Sequence, residues 1–148
     1  MKRIIITLLF SCMLCYSYGQ SIGKKEARQF LENAWNYLKT ADTTSFIDLW
    51  HLSPAALEHE GRPMSRKFIM GDFDFIKEYL DTALKQGLSI YDIDISKENL
   101  EGTDTKYWVQ AWFKYSKHYY KGFGFYIAND AGKWVVRNCA STSTLRRS

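Results

Sequence analysis

From Ile22 to Ala41 apolar residues recur at three- and four-residue steps: Ala27, Phe30, Leu31, Ala34, Trp35, Leu38 and Ala41, with Lys24, Lys25, Arg28, Glu32 and Lys39 elsewhere on the wheel. That period predicts an amphipathic helix. Asp42-Thr43-Thr44 interrupts it and offers a capping residue for a short second helix carrying Phe46, Ile47, Leu49 and Trp50. Ser53-Pro54 has the form of an N-cap followed by a first-turn proline, and Gly61-Arg62-Pro63 reads as a loop. A third helix is expected from Asp72, as its cap, to Gln86, with Phe73, Ile76, Leu80, Ala83 and Leu84 on one face and Gly87 as its left-handed terminator.

Beyond Gly87 the period drops to two. Leu88–Ser96 alternates apolar residues with Asp92 and Asp94, the pattern of a strand with one wet face. Lys106–Tyr115, Tyr119–Ala128 and Lys133–Ala140 follow as strands, separated by turn signals at Ser116-Lys117-His118 and Asn129-Asp130-Ala131-Gly132. Connections this short predict an antiparallel meander. Gly122 and Gly124 inside a strand predict a bulge, a bend or the close approach of another backbone. The polar end, Ser141–Ser148, reads as a frayed tail. The expected fold class is therefore α+β, with N-terminal helices packed on a curved, cone-like, four-stranded antiparallel sheet.

Residues 1–19 change the compartment. Met1-Lys2-Arg3 is a positive n-region, Ile4–Leu14 a short apolar stretch, and Ser17-Tyr18-Gly19 sets small residues before a cut at Gln20. The apolar run falls short of the roughly 20 residues that span a bilayer, so an exported protein, periplasmic or extracellular, is expected and no stable membrane span. A lipid anchor at Cys12 fits less well, because Phe10 is bulky and Met13-Leu14 continue the apolar run. Without the leader the formal charge falls from +4 to +2 and Cys139 is the only cysteine, so no internal disulfide is expected. Residues 20–140 are then a single α+β domain, aromatic-rich and long enough to bury roughly two-thirds of its surface.

Two segments carry a family likeness. Ala34-Trp35-Asn36-Tyr37-Leu38-Lys39-Thr40-Ala41-Asp42 followed by Phe46-Ile47-Asp48-Leu49-Trp50 resembles the two opening helices of the nuclear transport factor 2-like (cystatin-like cone) superfamily. Asn129-Asp130-Ala131-Gly132-Lys133-Trp134-Val135-Val136 is similar to its closing hairpin. Small exported members of unassigned role look closest. The early strand pair usual in that superfamily is not evident, because Ala55–Gly71 reads as helix and loop. The resemblance implies a curved sheet around a long helix. It also implies, for the enzymes of the superfamily, proton-transfer groups pointing into the cone, with Trp35 and Tyr37 among the pocket-lining residues here.

The residues themselves point elsewhere. His51, His59, His118 and Cys139 lie at no metal-ligand spacing, no glycine loop or nucleophile elbow is present, and no cofactor is expected. After Asp104 the sole acid is Asp130, in a turn, which leaves the C-terminal strands without a candidate general base. No catalytic residue is assigned. In the second strand Tyr107, Val109, Ala111, Phe113 and Tyr115 form one face, while Trp108, Gln110, Trp112 and Lys114 project from the other. The two indoles would stand roughly 13 Å apart at about 3.3 Å per residue, a span suited to an elongated ligand or two sugar rings. Core filling by one or both indoles under loops is the more ordinary reading, because aromatic side chains dominate cores. Charge is uneven: residues 20–104 carry ten basic and fifteen acidic side chains, and residues 105–148 eight and one. Lys114, Lys121 and Arg137 fall in strands, so a partly positive sheet is expected.

The expected function is that of a small non-catalytic binding domain. It would hold a small ligand, a glycan, a protein partner or a second copy through Trp108, Gln110, Trp112, Lys114 and Tyr126. The alternatives are a cone-fold isomerase, dehydratase or hydrolase, and an envelope accessory or immunity-type protein. A nucleic-acid partner is not expected at this net charge.

Overall fold

The structure is a computed structural model, described for residues 21–50, 66–98, 105–137 and 140–146. The expected leader, Cys12, Ser53-Pro54, the Gly61 loop, His51, His59 and Cys139 lie outside those residues. The described chain mixes helix and sheet: four α-helices and a five-stranded antiparallel sheet.

Helix α1 runs Lys24–Thr40. Glu26 reaches back to accept the Gly23 N–H at 3.1 Å, and Ala41 closes the helix in the left-handed conformation, φ 55°. Helix α2, Thr43–Ile47, begins as its sequence implies: Asp42 caps it, its carboxylate accepting from the Ser45 N–H and hydroxyl at 3.1 and 2.7 Å. A 3-10 turn, Asp48–Trp50, follows.

The third helix departs from expectation at its start and in its middle. It is two helices, α3 (Arg66–Tyr79) and α4 (Asp81–Lys85), with Leu80 outside helical geometry between them. The apolar period reaches back through Ile69, which is buried with Phe73, Ile76, Leu80 and Ala83 and draws the preceding turns into helix. Asp72 is consequently mid-helix and is no cap. Gly87 does adopt the left-handed conformation, φ 63°, and the Leu88 N–H bonds back to the Ala83 carbonyl at 2.9 Å. Leu88 thus belongs to the helix end, and the first strand, expected from Leu88, starts at Asp92.

The strands are β1 (Asp92–Glu98), β2 (Lys106–Lys114), β3 (Tyr119–Asp130), β4 (Lys133–Val136) and β5 (Ser141–Arg146). The first four form the antiparallel meander in order. The expected fourth strand, Lys133–Ala140, stops at Val136, and the residues read as a frayed tail form β5. Strand β3 is long enough to pair twice on one edge, with β4 through Ile127–Asp130 and with β5 through Tyr119–Gly124. Polar side chains did not prevent pairing, because the unmet backbone groups of β3 demand a partner whatever the side chains are.

One apolar cluster joins helices and sheet. Trp35 of α1 lies 4.3 Å from Phe113 and 6.1 Å from Phe123 between ring centroids, and Phe46 of α2 contacts Trp50, Phe73 and Phe125. Helix α3 is tied to the start of β5 by Asp72, which accepts the Ala140 N–H at 2.7 Å. Burial raises the Asp72 pKa above the usual 3.8, against the lowering effect of that bond. Between the usual and the raised value the folded chain binds more protons than the unfolded one, so this group's contribution to stability falls as pH rises. Relative to Asp72→Asn, the native protein should therefore gain stability as pH drops from 7 towards 4. Asp72→Ala, lacking any acceptor, should lose about 1–2 kcal/mol at pH 7. Urea midpoints of the three proteins across that range check both statements.

Candidate functional site

Pairing register places the chemistry. Tyr107, Val109, Ala111 and Phe113 are buried on the sheet face that meets the helices, and the alternate residues of β2 occupy the other face. There Trp108 stands opposite Tyr126, Gln110 opposite Gly124, Trp112 opposite Gly122 and Lys114 opposite Tyr120. On the other side of β2, Asp92 pairs with Trp112, Asp94 with Gln110 and Ser96 with Trp108. Neither Trp108 nor Trp112 belongs to the apolar cluster, and both are half-buried.

The two strand glycines are explained by the indoles. A Cβ on Gly124 would sit 2.6 Å from the Trp108 ring and 2.7 Å from the Val109 carbonyl oxygen. On Gly122 it would sit 2.9 Å from the Trp112 ring and 2.4 Å from the Ala111 carbonyl oxygen. Each indole thus lies down across β3 where glycine leaves the backbone bare, the close approach that the sequence allowed as one of three readings. Gly124→Ala should destabilise the protein by about 2–3 kcal/mol, because a backbone carbonyl as well as a ring must yield. It should also shift the Trp108 emission to the red as the ring lifts, and an unchanged spectrum and midpoint would refute this packing.

Hydrogen bonds hold the rings in place. Trp108 Nε1 donates to Gln110 Oε1 at 3.1 Å, which orients the amide, and Trp112 Nε1 donates to Asp94 Oδ2 at 2.6 Å. Tyr126 packs on Trp108 at 4.9 Å between centroids, and its hydroxyl donates to Glu98 Oε1 at 3.1 Å. Loss of hydration, then the Glu98 bond and charge, raise the Tyr126 pKa above 10.0. Gln110 is buried, and its Nε2 has no acceptor. Lys114 is exposed with its ammonium 5.0 Å from the Tyr91 ring.

The seven expected site residues therefore separate. Trp108, Gln110, Trp112, Lys114 and Tyr126 share one face. Trp35 does not: it is 3 % exposed in the core, its Nε1 donating to the Leu88 carbonyl at 3.0 Å, and Tyr37 packs against the same cluster. The expected positive sheet divides as well. Lys114 and Arg137 lie on the indole face, but Lys121 faces the helices, over the Tyr79 ring at 4.6 Å and donating to the Tyr79 carbonyl at 3.2 Å. The groups bonded to Trp112 and Tyr126 are carboxylates, so the immediate surroundings of these two rings are acidic. Sequence reasoning missed Asp94 and Glu98 as ring anchors, and Arg137 as a buried residue. Writing β1, β2 and β3 in register would have exposed the first two, whereas the burial of Arg137 leaves no mark in a linear pattern.

Among the described residues no group of three His, Cys, Asp or Glu side chains is placed to hold a metal ion. Nor is any described helix long and apolar enough to cross a membrane, which says nothing of a β-barrel. No family model, no curated protein and no solved structure matches this chain.

Proposed function

We propose that the protein is an exported, non-catalytic binding domain that presents Trp108 and Trp112 as a ring-stacking surface on a curved sheet of the cone type. The observation that carries this reading is the seating of both indoles over glycines, off the apolar cluster, each with its N–H bonded to a neighbouring side chain. Rings restrained in this way lose little conformational freedom on binding, which favours association without new contacts. An elongated ligand with flat faces, such as a glycan, matches two platforms along one strand, and a second copy of the chain matches them equally well. Gln110 supplies a directed amide between the rings, and Lys114 a cation at one end of the row.

The test is a Trp108→Ala/Trp112→Ala double variant, studied by thermal unfolding, sedimentation and fluorescence titration with β-linked glucose oligomers. The variant should stay cooperatively folded, and the native protein alone should show ligand-dependent indole quenching or self-association. A variant that no longer unfolds cooperatively would make the indoles core residues and end the proposal.

A further inference from the structure

Among the described residues, the buried side-chain nitrogens and oxygens without a hydrogen-bond partner are Trp50 Nε1, Gln110 Nε2 and the Tyr115 hydroxyl. Trp50 and Tyr115 belong to, or pack against, the apolar cluster that joins helices and sheet. Gln110 does not: it is 6 % exposed on the opposite face, between Trp108 and Trp112 along β2. Its amide cannot be turned over. Oε1 accepts the Trp108 indole N–H at 3.1 Å, and a reversed amide would set donor against donor. The nitrogen is thereby aimed at Gly122 and the Trp112 ring. It lies 3.2 Å, and Trp112 Cε3 lies 2.9 Å, from the point that a Gly122 Cβ would occupy.

A buried donor without an acceptor carries the full cost of lost hydration, and an indole beside it returns little of that. The neighbouring side chain on β1 is an acceptor. Asp94 pairs with Gln110 in register, which sets the two Cβ atoms about 4.5–5.5 Å apart on one face. Yet no bond joins them, since Nε2 is unpartnered. Asp94 is exposed, and its Oδ2 takes the Trp112 N–H at 2.6 Å. A carboxylate has about four lone-pair sites, so acceptor capacity remains after that bond. A donor and an acceptor thus stand side by side next to Trp112, each open to a third group.

We propose that Gln110 and Asp94 read one hydroxyl of a neutral sugar whose ring lies on Trp112; this rests on the ring-stacking reading above. A hydroxyl accepts and donates at once, so one group can take an N–H from Gln110 and donate to Asp94. A carbonyl offers only the accepting half, and an ammonium only the donating half. An acidic sugar would set its charge against Asp94 and Glu98. A β-linked glucose unit, with its hydroxyls equatorial, keeps an apolar face for the indole and directs hydroxyls outward at its rim. Because Nε2 is closed to water in the free protein, the ligand reaches it as Trp112 shifts. The restraint on that ring is its bond to Asp94, the acceptor that the hydroxyl then uses.

A β-linked glucose tetramer would be titrated against its fully O-methylated form, which keeps the rings and loses every hydroxyl. The readouts are calorimetry, indole emission and the side-chain amide resonances of Gln110, assigned by their loss in Gln110→Met. The free tetramer should bind about tenfold or more tightly than the methylated one, and saturation should move the Gln110 amide protons downfield. Gln110→Met and Gln110→Glu, the second of which keeps an acceptor for Trp108, should both remove most of that preference. Asp94→Asn, which keeps an oxygen for Trp112, should remove part of it. Equal affinity for the two tetramers, or amide protons unmoved at saturation, would overturn the proposal and leave the ring-stacking surface standing. A water cross-peak to the amide that persists at saturation would do the same, by making bound water the acceptor. Indole emission that responds to neither tetramer would overturn it too. In a protein monomeric at every concentration, that silence would remove the ring-stacking surface as well.

Discussion

Phe125→Ala should cost about 3–5 kcal/mol, the range for deleting a fully buried aromatic side chain. Its ring meets four others, with centroids at 6.1 Å from Phe30, 6.4 Å from Phe46, 5.6 Å from Trp50 and 5.6 Å from Phe123. Helix α1, helix α2 and the following 3-10 turn each set a ring against this one residue, so the cavity left behind cannot be closed by moving a single element. Domains of this size are stable by about 5–15 kcal/mol, so the variant would be left marginal. Gly124 and Tyr126 flank Phe125 on the opposite face, and the loss should therefore carry through to the indole surface. Urea unfolding followed by circular dichroism supplies the number, and Phe125→Leu, which keeps most of the volume, should lose less than half as much. A loss below about 1.5 kcal/mol would mean that the site collapses freely and that the helices are held by something else.

Removing residues 141–148 should have the next largest effect. A frayed tail would be dispensable, but β5 covers Tyr119–Gly124 along one edge of β3. Its removal strips the backbone hydrogen bonds of a central strand, the bond between the Tyr79 and Thr144 hydroxyls, and the Arg146 guanidinium that sits 5.8 Å from the Tyr119 ring. At about 0.5–1.5 kcal/mol net per hydrogen bond, and after the ordering entropy of six residues is returned, a loss on the order of 3 kcal/mol is expected. The bared edge is also a template for another strand, so the shortened protein should aggregate on concentration where the full chain does not. Matched urea midpoints and light scattering decide this. An unchanged midpoint would return the segment to the status of a tail.

The indole face also shows how large rings can be seated on a sheet. Glycine opposite a large ring lets the ring lie flat, and a side-chain acceptor fixes its rotation. The glycines act across strands for both rings, and Asp94 does so as the acceptor for Trp112, whereas Trp108 bonds Gln110 two residues along its own strand.

Legibility in the sequence followed the range of each interaction. Local signals were read correctly wherever one or two turns of chain determine the outcome: the α1 period, the Asp42 cap, the left-handed Gly87 and the meander β1 to β4. Segregation of Tyr107, Val109, Ala111 and Phe113 from Trp108, Gln110 and Trp112 was also legible, because side chains alternate along any strand. The sequence by itself therefore determined the type of those elements and which β2 residues share a face. Only the tertiary structure decided that Trp35 belongs to the core, that residues 141–146 become β5, that α3 begins at Arg66, and that Arg137 is buried. Each of these depends on contacts between residues far apart in the chain. Trp35 must find Leu88, β5 must find the open edge of β3, and Arg137 must lie in one row with Tyr126 and Trp108. Such pairings return energy only once the chain has closed on itself, so no window of residues can announce them.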